Sequence, residues 1–268
     1  MKDLADQPEL QFTGSEHKPV LTILYQDEYL VIVDKPSGLL VHRSMIDKHE
    51  TLFALQLVRD QVGQYVYPVH RLDKPTSGVL LMALSPEIAA IMSEQFMTGL
   101  VNKTYLALVR GHTSAQGHID YPLKEVLDKM TDKKARQDKP AQQAVTQYKT
   151  LLNCELPMAV GRYNTSRYSL VSLKPETGRK HQLRRHMKHI FHPIVGDTTY
   201  GDGKHNTMFR ECFSLNRLVL VAKSLSFIHP ITKERLQVSA DLGHQCLSLF
   251  SALGWPDQEE YYQKRLIQ

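Results

Sequence analysis

The sequence contains little cysteine and lacks the features that mark exported or membrane proteins. Its 268 residues include three cysteines, Cys154, Cys212 and Cys246, which lie far apart and form no Cys-x-x-Cys pair. Neither a disulfide framework nor a zinc ribbon is therefore indicated. No apolar run approaches the roughly 18 residues of a membrane span, and the polar, net acidic N-terminus is unlike a signal peptide. We therefore expect a cytoplasmic protein that does not enter a membrane.

Motifs for nucleotide phosphates and for metals are also missing. The glycines match neither a phosphate-binding loop nor a dinucleotide fingerprint. Among the histidines near position 186, His186 and His189 have the helical spacing of a metal-binding pair, but no carboxylate or thiol of obvious ligand spacing joins them. We therefore expect neither a metal nor an organic cofactor.

Positive charge is concentrated in one segment. Residues 174–192 contain six Lys or Arg and one Glu, so they carry +5, which equals the formal charge of the whole chain. A basic stripe of this kind is the footprint expected for a phosphate-rich partner such as nucleic acid. The same run could also be a solvated helix face without a ligand.

The hydrophobic patterns predict a fold of the α+β class. Alternating residues predict a hairpin of 21–25 with 29–34, and helical spacing predicts helices from Thr51 to Gly63 and from Ser85 to Gly99. Further strands are expected at 105–110, 145–150 and 168–173, then at 218–222, then a hairpin of 225–229 with 235–239, and last a helix over 243–253. No linker divides the chain. We therefore expect one domain over 20–254, after a flexible segment 1–19 and before a tail 255–268.

The basic segment itself predicts an amphipathic helix from Lys180 to Ile190. At 100° per residue, Leu183, Met187 and Ile190 share an apolar face, with His186 close to it. The cationic side, with His181, Arg184, Arg185 and Lys188, would be free for a ligand. The backbone amides near Gly178 and Arg179 would be available to an anion.

The segment from His70 to Ala83 places a carboxylate next to a guanidinium, in a turn directly before an apolar run. The run Val-Leu-Leu-Met-Ala is long enough to be a buried strand, and Pro75 with Gly78 confines the backbone before it. Catalytic residues are often displayed in this way, on a loop that a rigid strand holds in place. Asp73 is therefore a candidate for chemistry.

Each candidate residue also has a structural reading when taken singly. An Asp in a turn, such as Asp73, commonly satisfies local amides. Tyr105 could be a half-buried strand aromatic, and Arg184 could be surface charge. Their joint occurrence in one order is what favours function.

That order resembles the RluA-type pseudouridine synthases, a family that modifies ribosomal and transfer RNA. Three blocks carry the resemblance: Asp-Lys-Pro-Ser-Gly from Asp34, His-Arg-Leu-Asp-Lys-Pro-Thr-Ser-Gly from His70, and Thr-Gly-Arg-Lys-His-Gln-Leu-Arg from Thr177. The resemblance extends over about 21–239. It implies one catalytic domain with a central mixed, mostly antiparallel and curved sheet flanked by helices and loops. We expect that residues 1–19 do not form the small N-terminal RNA-binding domain that many members of the family carry.

The resemblance also implies roles for individual residues. Asp73 would be the essential carboxylate, either attacking the ribose or removing its 2′ proton. Arg184 would pair with it, which favours the ionised carboxylate and fixes its direction. Tyr105 would pack against the uracil and receive the C5 proton, and Arg71 would fill the stack left by the extruded base. Leu183, Arg179, His181 and Lys188 would complete the substrate-binding set.

The implied partner is RNA, most closely tRNA modified at uridine 65, with the protein acting as a monomer. A ribosomal RNA target within the same family is the first alternative. A noncatalytic RNA-binding protein would explain the basic segment alone. A glycoside or nucleoside hydrolase would normally need a second carboxylate, and none stands beside Asp73 in these blocks.

Overall fold

The computed structural model describes residues 19–43, 50–125 and 140–267. Their strands are β1 (Ile23–Gln26), β2 (Leu30–Lys35), β3 (Tyr67–Pro68), β4 (Ser77–Ala83), β5 (Asn102–Arg110), β6 (Gln116–Asp120), β7 (Val145–Leu156), β8 (Ser166–Pro175), β9 (Leu220–Ile228) and β10 (Arg235–Ser239). Their helices are α1 (Ala54–Val62), α2 (Pro86–Met97), α3 (Gln182–His189), α4 (Gly203–Phe213), α5 (His244–Ala252) and α6 (Glu259–Ile267). Residues 1–18 of the expected flexible segment lie outside this description.

Local sequence signals place most of these elements. β1 and β2 form the predicted antiparallel hairpin. The Asp27 carboxylate closes its turn by accepting hydrogen bonds from the Tyr29 and Leu30 amides at 2.8 and 2.7 Å. α2 follows Ser85, whose hydroxyl accepts a hydrogen bond from the Ile88 amide. The predicted α+β class is therefore confirmed.

The start of α1 and the last stretch of the chain differ from the predictions. The N-cap of α1 is Phe53 rather than Thr51, and the Ala54 amide donates to the Leu40 carbonyl at 2.8 Å. The predicted end at Gly63 is confirmed, because this residue is left-handed with φ +73°. The sequence patterns do not predict β3, β6, α4 or α6.

Contacts between Cα atoms divide the chain into two compact units, and the first contains residues 1–103, 124–141 and 224–240. Within its described part, β2 pairs antiparallel with β1 and with β4, and β3 also pairs with β4. Every residue of β4 is buried, as expected for the strand after the Asp73 loop. The register sets Lys35 opposite Gly78. The loop after β2 therefore lies beside the loop before β4.

The second unit contains residues 104–123, 142–223 and 241–268. Its strands follow the antiparallel order β5-β8-β7-β6. One apolar cluster gathers side chains of α4, α5 and α6, including Phe209, Phe250 and Tyr262. Another includes Leu183 and Met187 of α3. The sheet thus fixes α3 through the apolar face that the sequence predicts.

None of the helices in the described residues is long and apolar enough to cross a membrane. The single domain predicted over 20–254 remains a prediction.

Candidate active site

Asp73 lies in a tight turn immediately before β4. The Thr76 amide donates a hydrogen bond to the Asp73 carbonyl at 3.0 Å, which closes a four-residue turn containing Pro75. Leu72 is buried, whereas Asp73 is partly exposed. The backbone on both sides of Asp73 is therefore anchored, and Asp73 itself is only partly exposed.

The loop after β2 clamps this turn from the side. The Lys35 side chain is fully buried, and its ammonium donates to the Lys74 carbonyl at 3.1 Å and to two carbonyls of its own loop. The Gly38 amide donates to the same Lys74 carbonyl at 2.9 Å, and the Ser37 hydroxyl donates to the Pro75 carbonyl at 2.8 Å. The Lys-Pro-Ser-Gly block therefore positions the residues next to Asp73.

His70 supports the same loop without titrating near neutral pH. Its Nε2 accepts a hydrogen bond from the Leu81 amide at 3.0 Å, and its ring stacks on Phe96 with centroids 4.7 Å apart. Burial, with a smaller effect of the Lys103 charge, lowers the pKa of His70 to about 3. A neutral His70 links the start of the loop to the strand that follows it.

Arg71 is exposed on the same loop. Partial burial, together with the positive charge of Arg71, lowers the pKa of His42. This end of the first unit therefore presents a cation to solvent.

Tyr105, on β5, packs against the apolar cluster of the second unit that contains residues of α3. It pairs with Leu173 in the antiparallel ladder of β5 and β8. Its half-buried ring packs against the apolar cluster that contains Leu183 and Met187. The sheet and α3 thus hold Tyr105 and Leu183 on one core.

The helical pattern predicts that Arg184 lies on a free cationic face. In the structure Arg184 is buried. Only 5% of its side chain and 1% of that of Asp197 are exposed. Its Nε and Nη2 donate to the two carboxylate oxygens of Asp197 at 2.7 and 2.8 Å. The prediction of a free face is wrong for Arg184 because Asp197 and Tyr200, from the loop that follows α3, pack against it. A bidentate pair of this kind fixes the guanidinium plane.

The loop that carries Asp197 is itself tightly held. The Asp197 carboxylate accepts hydrogen bonds from the Thr199 and Tyr200 amides, both at 2.9 Å. The Asn206 side chain accepts from the Gly196 amide and donates to the Asp197 carbonyl. Burial alone would raise the pKa of Asp197, but Arg184 and these amides outweigh it, so the pKa lies below its ordinary value. Asp197 is therefore a fixed anion.

Tyr200 brings together three of the predicted site residues. The Arg184 guanidinium lies 5.2 Å and the Lys188 ammonium 5.9 Å from the centre of its ring. His181, at the N-terminus of α3, places Nδ1 3.0 Å from the Tyr200 hydroxyl. The distances from Arg184 and Lys188 to the Tyr200 ring are within the range of cation–π attraction. Tyr200 therefore organises the cationic side of α3.

Sequence reasoning overlooked both Asp197 and Tyr200. A signal for Asp197 was present, because it is the first acidic residue after the basic segment that ends at His192. Tyr200 follows it within one loop. No local periodicity marks either residue.

The amide of Arg179 is not open to an anion, contrary to the prediction for this turn. It donates to the Gln182 side-chain oxygen at 2.9 Å, and the Thr177 hydroxyl donates to the same oxygen at 2.7 Å. Gln182 is buried and also donates to the Val145 carbonyl. The side chain of Arg179 is exposed and reaches the Gln143 carbonyl. Anion binding here would therefore use the side chain of Arg179.

His186 is engaged by the protein through both ring nitrogens. Nδ1 lies 2.9 Å from the Thr146 hydroxyl and Nε2 lies 3.0 Å from the Tyr121 carbonyl. Burial lowers its pKa. Both ring nitrogens are therefore used in structural contacts with Thr146 and Tyr121, and neither is available to a metal.

The candidate residues are thus distributed between the units. Asp73 and Arg71 belong to the first unit, and the other six, Tyr105, Leu183, Arg179, His181, Arg184 and Lys188, belong to the second. The ion pair of Asp73 with Arg184 and the catalytic roles remain predictions. The geometry supplies a partly exposed Asp73 on a fixed turn and, in Arg184, a guanidinium of fixed orientation.

Comparison with known proteins bears on what these parts do. A sequence model of the family described as RNA pseudouridylate synthase matches residues 29–189. The chain is 56% identical over 238 residues to a Vibrio cholerae protein named tRNA pseudouridine synthase C, covering 89% of this chain and 98% of that protein. It is 56% identical over 236 residues to the Haemophilus influenzae protein of the same name, covering 88% and 99%.

Solved structures show the same likeness. Human RNA Pseudouridylate Synthase Domain Containing 4 superposes with a TM-score of 0.64 at 28% identity, covering 87% of this chain and 93% of that one. Human RNA Pseudouridylate Synthase Domain Containing 1 gives a TM-score of 0.64 at 26% identity, covering 86% of each chain.

Proposed function

Because the chain belongs to the RNA pseudouridylate synthase family, we propose that it isomerises one uridine of tRNA, uridine 65, to pseudouridine. The observation that carries this is the 53–56% identity to proteins named tRNA pseudouridine synthase C over nearly their full lengths. Their names favour tRNA over a ribosomal RNA target and an enzyme over a noncatalytic RNA-binding protein.

The reaction needs few parts. The bond from C1′ of ribose to N1 of uracil breaks, the uracil turns, and a bond from C1′ to C5 forms. The C5 proton then leaves and N1 takes up a proton from solvent, so the product is an isomer of the substrate. Asp73 drives the first stage as an ionised carboxylate, either by attack on the ribose or by removal of its 2′ proton. The site must hold the detached base and keep water from it. No redox partner or organic cofactor is required.

Arg184 has the role of holding Asp73, and its buried pair with Asp197 supports that assignment. A guanidinium fixed on one side by two hydrogen bonds is already oriented, so less freedom is lost when it engages a second anion. Tyr105 packs against the uracil and receives the C5 proton. Arg71 is exposed at the Asp73 loop and fills the stack left by the extruded uridine.

The remaining predicted residues bind RNA. Arg179 and Lys188 are exposed cations that contact phosphates, and His181 and Leu183 shape the site at the start of α3. Phosphate contacts of this kind weaken as salt rises. We further propose that the protein works as a monomer in the cytoplasm.

The direct test is release of tritium from tRNA transcribed with C5-tritiated uridine. Wild-type protein is expected to release one tritium per tRNA, and Asp73→Asn none. Asp257→Asn removes an exposed carboxylate near the C-terminus and is expected to retain wild-type release. Wild-type rates from Asp73→Asn would contradict the assigned chemistry. Free uracil as the main product would indicate a hydrolase instead.

A further inference from the structure

A bulky aromatic residue is exposed in a strained backbone position directly after α3. Phe191 has φ +65°, in the left-handed region, and 79% of its surface is exposed. Its amide donates to the Lys188 carbonyl at 3.0 Å, and the His192 amide donates to the Met187 carbonyl at 2.9 Å. The turn therefore enforces a left-handed residue at this point, a position that glycine fills at least cost.

The choice of phenylalanine there has no explanation in folding stability. A left-handed conformation is less favourable for a residue with a side chain than for glycine, because the Cβ atom crowds the backbone. Burial of the ring could offset this cost, but Phe191 is largely exposed. A strained and exposed aromatic side chain is a reason to look for a ligand.

The surroundings of Phe191 indicate which ligand fits. Two more rings lie exposed near the same end of α3, where Tyr121 stacks on His189 with centroids 3.6 Å apart and planes 15° from parallel. Lys188 is an exposed cation of the last turn. An Arg110 nitrogen donates to the Phe191 carbonyl at 3.3 Å, while its other terminal nitrogen is paired with the Asp202 carboxylate, so the net positive charge beside Phe191 comes from Lys188. Aromatic faces bordered by cations suit unstacked bases and the phosphates that link them.

Resting on the function proposed above, we propose that Phe191, together with the Tyr121–His189 stack, is a docking surface for an unpaired base of the RNA substrate, separate from the target uridine. We name it the aromatic platform. The exposed charge of Lys188 beside the rings favours RNA over a protein partner, because the core of a protein–protein interface is depleted of charged residues. Stacking accepts any base, so the platform contributes affinity and placement of the RNA rather than a sequence code.

The test compares Phe191→Gly with wild type, because glycine relieves the strain and removes the ring. RNA affinity is measured by filter binding of unmodified tRNA to proteins that also carry Asp73→Asn, so that no turnover occurs. We expect Phe191→Gly to raise Kd by about fivefold or more and to raise KM in the tritium assay more than it lowers kcat. Thermal stability should stay equal or increase. Phe191→Trp should retain affinity.

Controls separate the ring from its backbone and from general surface apolarity. Ser214→Gly relieves another left-handed residue, with φ +53°, and Met97→Ala trims a side chain that is also 79% exposed. Both should bind tRNA as wild type does. Phe191→Asn, which tolerates the left-handed region, provides a second ring deletion.

Unchanged Kd in both Phe191→Gly and Phe191→Asn would overturn the platform. So would a change in oligomeric state by light scattering on loss of the ring, since the surface would then bind a second copy. Failure of the proposed function is distinguishable, because it appears as absent tritium release from the wild-type protein, whatever the affinities of the Phe191 variants.

Discussion

Asp197→Asn tests whether the Arg184 guanidinium is held by the buried pair. The substitution keeps the shape and one acceptor oxygen, so the amides of Thr199 and Tyr200 keep their partner. It replaces the other oxygen with an amide that faces the Nε–H donor of Arg184. The buried guanidinium would then lose the negative charge that Asp197 supplies.

The expected loss is large because the pair is almost wholly inaccessible to solvent. Breaking a buried ion pair by removing one partner costs about 3–5 kcal/mol. With the oxygen toward Thr199 retained, we expect a loss of about 3 kcal/mol in the free energy of unfolding. Misplacement of a positioned catalytic group by about 1 Å can lower the rate by about 100-fold. We therefore expect a fall of that order in kcat for tritium release.

The assay is urea unfolding followed by fluorescence of Trp255, the only tryptophan, which is buried in the core of the same unit.

The lowered pKa of Asp197 fixes the sign of a pH effect on the free energy of unfolding. The stabilisation is fully present above the unfolded value of about 3.9 and is lost as pH falls through the folded pKa. The Asn variant should lack this acid step.

Asp241→Asn, at an exposed carboxylate of the same unit, is the matched control. Combining Asp197→Asn with Arg184→Met should recover part of the stability and none of the activity, since no unpaired charge remains buried. An Asp197→Asn protein within about 0.5 kcal/mol of wild type, with unchanged kcat, would refute the positioning of Arg184 by Asp197.

Three further predictions concern the frame of the site. Lys35→Met should lower stability by about 1–3 kcal/mol for each carbonyl left without a donor, and should lower kcat, as measured by urea unfolding and tritium release. Gly196→Ala should lower Tm sharply for two reasons. A Cβ at this position would lie 1.9 Å from the Arg217 carbonyl oxygen, and Gly196 has φ +80°, which strains any residue with a side chain. Because the pKa of His70 is about 3 in the folded protein, this histidine takes up a proton below pH 6.5 only when the chain is unfolded. The free energy of unfolding should therefore fall by up to about 1.4 kcal/mol per pH unit below pH 6.5, and His70→Gln should flatten that slope in unfolding titrations.

The sequence predicts those parts of the fold that local signals specify. The turn around Asp27 and the cap at Ser85 place the first hairpin and α2, because each depends on residues within a few positions. The Asp73 loop is predictable in the same way, from a turn next to an apolar strand. Its clamp by Lys35 is not, because the contact joins residues 39 positions apart.

The surroundings of Arg184 could not be predicted for a related reason. Helical periodicity assigns a residue to a face but says nothing of what a later loop brings to that face. Here the loop with Asp197 and Tyr200 packs over Arg184 and buries it, whereas Lys188 on the same side of α3 stays exposed. The tail from residue 255 likewise shows no motif, although its Tyr262 packs in the core against Phe250.

The central claim is that this chain makes pseudouridine in tRNA through Asp73. Its most direct measurement is pseudouridine-sensitive sequencing of tRNA and ribosomal RNA from a deletion strain, complemented with wild type or with Asp73→Asn. We predict loss of pseudouridine at tRNA position 65 alone, restored by wild type and not by Asp73→Asn. Restoration by Asp73→Asn would contradict the assigned chemistry, and loss confined to ribosomal RNA would contradict the proposed substrate.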